Sequence, residues 1–139
     1  MNDKQKSSIL IVDDIAENID ILVSLLKTDY NISAARNGKI ALKICQSENP
    51  PDLILLDIMM PEMDGYEVCK HLKSDFKTEA IPVVFVSAAD TAEERLTGYD
   101  VGAVDYIVKP FNSDELKRKI QVLLNHESEI KKLATMKMK

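Results

Sequence analysis

Tryptophan is absent from this chain, and glycine, with four residues, and cysteine, with two, are scarce. Each shortage argues against a class of function. Neither G-x-G-x-x-G nor G-x-x-x-x-G-K-[ST] occurs, so a nucleotide-binding domain with a phosphate-cradling glycine loop is a poor reading. Cys45 and Cys69 show no metal-ligand spacing, and with no export signal they are expected to be reduced thiols on helices. The polar start, MNDKQKSS, is no signal peptide, and no apolar stretch nears the length of a membrane span. The expected compartment is therefore the cytoplasm. Basic clusters interleaved with aromatics are missing too, and the net charge is -5, which argues against direct nucleic-acid binding.

What is present is a globular composition, 45% hydrophobic and 29% charged, long enough for one domain with its own core. Short apolar runs recur at Ile9–Val12, Leu53–Leu56, Val83–Val86 and, more weakly, Tyr106–Val108. Unbroken runs of Val, Ile and Leu are expected of strands buried on both faces. A fifth segment, YNISAA, alternates and reads as an edge strand. Helical spacing fills the gaps. Ile15, Ile19, Leu22 and Leu26 mark a first helix, and Ile40, Ala41 and Ile44 a second, after the Asn37–Gly38 turn. Val68, Cys69 and Leu72 mark a third. Ala92, Leu96 and Tyr99 mark a fourth, opened by Asp90 and Glu93 at capping-box spacing. Leu116, Ile120 and Leu123 mark a fifth, opened by NSDE at the same spacing. Strands alternating with helices predict an α/β fold, a doubly wound five-stranded parallel sheet with helices on both faces.

Such a sheet binds its ligands at the carboxyl ends of its strands. Asp13 and Asp14 follow the first run, Asp57 the third strand, Ser87 the fourth and Lys109 the fifth. Three carboxylates in one crevice repel one another unless a cation shares it, and hard oxygen donors with room for water suit magnesium. A divalent cation and a lysine around a carboxylate can hold a phosphoryl group while a nucleophile attacks in line. Asp57 is expected to be that nucleophile, giving an acyl phosphate, with Ser87 donating a hydrogen bond to a phosphoryl oxygen.

The stretches ILIVDD, LILLDIMMPEMDGYEVC, VVFVSA and GAVDYIVKPF resemble, in order, the motifs of the receiver domain of two-component response regulators, a family that includes the chemotaxis response regulator. The resemblance runs from residue 8 to about 125 and implies a flavodoxin-like (βα)5 fold. It implies that Asp57 accepts a phosphoryl group and that Asp14 ligates magnesium directly. Asp13 would help through water, and the Met59 backbone carbonyl would be a further ligand. Ser87 and Lys109 would bind phosphoryl oxygens. Tyr106 would be the switch aromatic, turning inward as Ser87 moves toward the phosphate. Lys109–Pro110 would be the family's cis peptide. Met59 and Ala89 occupy the variable positions that tune phosphate lifetime. Neither carries a group to orient an attacking water, which implies a longer-lived phosphoryl state.

The same resemblance implies a sensor histidine kinase or phosphotransfer protein as donor, and a homodimer or output partner on the fourth helix, last strand and fifth helix. Asp105, Glu115 and Lys119 would supply pairing charges there. Residues 1–7 read as a tail, 8–125 as the receiver and 126–139 as a helical extension or linker. The chain is expected to be either a stand-alone regulator or the receiver of a longer protein. A haloacid-dehalogenase-type phosphatase would need D-x-D, but Met59 stands where the second aspartate should be. Asp14, with Glu17 three residues on, has a bland alternative as a helix cap, and Ser87 as a cap after a strand. His71 and His126 lack the rest of any phosphorylated-histidine box and are expected on the surface, and the Met59–Met60–Met63 cluster is expected to pack the loop.

Overall fold

The computed structural model describes residues 6–88 and 91–137. It contains strands β1 (Ser8–Val12), β2 (Asn31–Ala35), β3 (Leu53–Leu56), β4 (Val83–Ser87) and β5 (Asp105–Val108). Between and after them lie helices α1 (Ala16–Leu26), α2 (Gly38–Cys45), α3 (Gly65–Lys73), α4 (Ala92–Asp100) and α5 (Ser113–Lys137). All neighbouring strands pair in parallel, in the order β2-β1-β3-β4-β5. The alternating segment is an edge strand. Strand order reverses between β1 and β3, so the crevice of an open sheet lies at their carboxyl ends.

Side chains of successive strand residues go to opposite faces, and this splits the apolar runs into two cores. Leu10, Val12, Ile54, Leu56, Val83 and Phe85 pack beneath α2 and α3, with Ala41, Cys45, Val68, Cys69 and Leu72. Ile9, Ile11, Leu53, Leu55, Val84 and Val86 pack on the other face with Ile19, Leu22 and Leu26 of α1 and Leu116 and Ile120 of α5. Both cysteines are free and buried, and burial pushes each thiol up to about 11.

Three helix faces depart from simple periodicity. Ile15 is the N-cap of α1 and stays exposed, so the buried stripe begins at Ile19. In α2 the inward residues are Ala41 and Cys45, while Ile40 is exposed. In α4, Leu96 and Tyr99 are exposed and only Gly98 is buried, where an added Cβ would come within 3.0 Å of Phe85 and 3.6 Å of Tyr106. A small residue at that contact lets the helix lie close to the sheet, so its apolar stripe is left outside. Its capping box is Thr91 with Glu94, one residue later than the sequence spacing suggested. Asp90 lies outside the described residues, as does Ala89. The start of α5 is capped by Asn112, whose side chain accepts from the Glu115 amide. α5 then continues unbroken across residue 125. Among the described residues, no helix is long and apolar enough to cross a membrane.

Candidate functional site

The strand ladders run one step beyond β1 and β3, and this fixes the backbone of two acids. The Asp13 amide donates to the Ala35 carbonyl at 3.2 Å, and the Asp57 amide to the Val12 carbonyl at 2.9 Å. Asp13 and Asp57 are therefore buried, at 2% and 7% exposure. Behind Asp57, the Gly65 amide donates to the Ile58 carbonyl at 2.8 Å. A Cβ on Gly65 would run into the Asp57 carbonyl, so only glycine lets the start of α3 rest on that backbone.

Asp13, Asp14 and Asp57 each offer a carboxylate oxygen within 4.8 Å of the others. They are not equally partnered. Asp13 accepts from the Ile15 amide and from Lys109 Nζ, both at 3.0 Å. Asp57 accepts from the Ile58 amide at 3.0 Å and lies 4.0 Å from Lys109 Nζ. Asp14 Oδ1 is buried with no hydrogen-bond partner. An orphaned acceptor beside two other carboxylates can be satisfied by a cation, and donors that are all hard oxygens suit magnesium better than a soft metal. The bland reading of Asp14 fails here, because α1 has no side-chain cap and Asp13, not Asp14, holds the Ile15 amide.

Burial raises the Asp57 carboxyl above its ordinary value, and the neighbouring Asp13 charge raises it further. Lys109 and hydrogen bonds from the Ile58 amide and the Ser87 hydroxyl pull it back down without reversing the shift. Ser87 is fully buried as the last residue of β4, and its carbonyl accepts from the Lys109 amide at 3.0 Å. The Lys109–Pro110 peptide bond is cis.

Five of the residues singled out in the sequence thus share one crevice: Asp13, Asp14, Asp57, Ser87 and Lys109. Met59 stands on the loop beyond Asp57 with 69% of its surface exposed. Tyr106 is already inside, at 5% exposure, with its ring 6.1 Å from that of Phe85 and the Arg95 guanidinium 5.7 Å above it. Asp105 and Lys119 face each other within the chain at 3.5 Å. Two contacts near the site had not been anticipated. Arg36 Nη2 donates to the Asp14 carbonyl at 2.9 Å, and the Tyr66 hydroxyl donates to the Glu94 carbonyl at 3.0 Å. The strand-end rule would have found the first, since Arg36 immediately follows β2. Nothing in the local pattern marks the second.

Comparison with known proteins identifies the family and the fold. Residues 9–121 match the family model of the response regulator receiver domain. The chain is 44% identical over 131 residues to "Histidine kinase P4" of Formosa agariphila, covering 94% of this chain and 10% of that protein. It is 43% identical over 127 residues to a "Probable cyclic di-GMP phosphodiesterase" of Vibrio cholerae, covering 91% of this chain and 29% of that one. Among solved structures, a CheY-like response regulator receiver domain protein from Methanospirillum hungatei aligns with a TM-score of 0.82 and 26% identity, covering 90% of this chain and 98% of its own. The chain belongs to the response regulator receiver family and has the family's flavodoxin-like fold. It is a signalling domain of two-component systems, and it spans only a small part of these two curated relatives.

Proposed function

We propose that this domain takes a phosphoryl group onto the Asp57 carboxylate from a phosphohistidine of a sensor kinase or phosphotransfer protein, with magnesium bound beside it. The observation that carries this reading is the buried, unpartnered Oδ1 of Asp14, a residue whose carboxylate lies within 4.8 Å of two others, one of which ends the central strand. Asp14 and Asp57 would hold the cation directly, with the Met59 carbonyl, and Asp13 through water. When bound, magnesium supplies positive charge that offsets the carboxylates and the incoming phosphoryl oxygens.

The chain's own residues then have distinct tasks. An Asp57 oxygen forms a bond to phosphorus while the P–N bond to the donor imidazole breaks, and that electron pair leaves on the ring nitrogen, which takes up a proton. Asp57 must be ionised to attack, so its raised pKa makes transfer fall off as pH drops through that value. Lys109, now on Asp13, is within one side-chain swing of Asp57 and can move to a phosphoryl oxygen. Ser87 can turn its hydroxyl from the carboxylate to another. The lack of a polar side chain at Met59 and Ala89 supports slow hydrolysis.

Incubating the protein with acetyl phosphate and magnesium should add one phosphoryl group, located at Asp57 by mass spectrometry. Labelling that persists undiminished in Asp57→Asn would overturn the assignment. The modified domain is proposed to act on a partner, second protomer or output domain through α4, β5 and α5.

A further inference from the structure

The three carboxylates are braced unequally. Asp13 is held by the Ile15 amide and Lys109, and Asp57 by the Ile58 amide and the Ser87 hydroxyl. For Asp14, the hydrogen bond described beyond its own carboxylate is the one its backbone carbonyl accepts from Arg36. Arg36 is itself well placed to act as a strut. It follows Ala35, which is buried and whose carbonyl is tied to the Asp13 amide, and precedes Asn37, whose side chain caps α2 through the Ile40 amide. Both flanks are anchored, so the guanidinium reaches from a fixed stem across to the loop between β1 and α1. Repulsion from Asp13 and Asp57 pushes the Asp14 carboxylate outward toward water, and the strut opposes that movement.

We infer that Arg36 is a positioning residue for the metal site: by holding the Asp14 backbone it keeps the Asp14 carboxylate turned into the acidic crevice, ready for a divalent cation. This rests on the magnesium reading above. Arg36 also acts in the opposite direction. Its positive charge repels a cation, but it is exposed, and salt screens that repulsion within about 8–10 Å. Strut and charge therefore predict opposite signs.

Magnesium titrations of the full chain, followed by the backbone amide shifts of Asp13, Asp14 and Asp57 in NMR, separate them at low salt and at about 0.5 M, where the Debye length is only a few ångströms. Arg36→Met should bind magnesium about tenfold more weakly at both salt levels, the low end for a partner that orients a metal ligand. Arg36→Lys, which keeps the charge and one donor, should recover most of the loss. Thermal unfolding of both variants should stay close to wild type, since an exposed hydrogen bond contributes little to global stability. Affinity in Arg36→Met that equals or exceeds wild type at high salt overturns the strut. Asp14→Ala, run alongside, keeps the two readings apart. If it abolishes binding while Arg36→Met does not weaken it, the metal site stands and the brace falls; if wild type binds no magnesium, both fall.

Discussion

At Asp57, burial and the Asp13 charge outweigh Lys109 and two hydrogen bonds, so the folded protein holds this proton more tightly than the unfolded chain does. Between the ordinary carboxylate value and the raised one, the folded state binds more protons, so stability falls as pH rises through that window. Above that window the ionised Asp57 is a penalty, and the proposed phosphoryl transfer would require it, because the anion is the attacking form. Asp57→Asn keeps the shape and removes the charge. It should raise Tm at pH 7. The gain should shrink as pH is lowered through the window, because wild type sheds the same charge there. Thermal unfolding at pH 7 and near pH 4 checks it, and a variant less stable than wild type at pH 7 refutes the balance of charges described above.

Among the elements, the strands were the most legible, because a strand buried on both faces has little choice but a continuous aliphatic run, and the acids at its tip stand out by contrast. The helices were less so. Period alone could not tell that α4 would turn Leu96 and Tyr99 outward, since the deciding contact is Gly98 against Phe85, a residue distant in sequence. The site residues were legible to the extent that they follow strand ends; Arg36 also follows one, but β2 is a mostly exposed edge strand, with no long aliphatic run to set off the residue at its tip. Tyr66 was hidden because its partner is a backbone carbonyl on another helix. That contact closes a ring: Tyr66 lies edge-on to Phe85 at 5.5 Å, Phe85 meets Tyr106, Tyr106 lies under Arg95, and Arg95 neighbours Glu94. Tyr66→Phe removes the hydroxyl and nothing else. Loss of one such hydrogen bond should cost about 0.5–1.5 kcal/mol in chemical denaturation. Amide exchange should speed up in α4 while staying unchanged in α1 and α2. Uniform exchange rates across the helices would mean that Tyr66 does not hold α4.

Across the whole molecule, the question is whether a phosphoryl group can move the α4, β5 and α5 surface at all. A charge-assisted hydrogen bond contributes about 1.5–3 kcal/mol, and inverting a two-state population from 1:99 to 99:1 needs about 5.5 kcal/mol of differential binding. New contacts from Ser87 and Lys109 would reach that order only if both groups started unpartnered. They do not: Lys109 already sits 3.0 Å from Asp13, and Ser87 already bonds to Asp57. Only the difference between old and new partners is available, so the resting equilibrium must lie closer to balance if the switch is to work. The buried ring of Tyr106 fits that demand, because its inward position is occupied before any phosphoryl group arrives. Asp105 and Lys119 likewise face each other within the chain, which leaves Glu115 as the freer charge on that surface for a partner. Backbone NMR with and without beryllofluoride and magnesium should therefore show shifts concentrated between residues 88 and 125, modest in size, with the ring signals of Tyr106 among the least changed on that face. Shifts confined to α1 and α2, with residues 88 to 125 still, would place the switch elsewhere; a large movement of the Tyr106 ring would mean that the free domain starts far from balance.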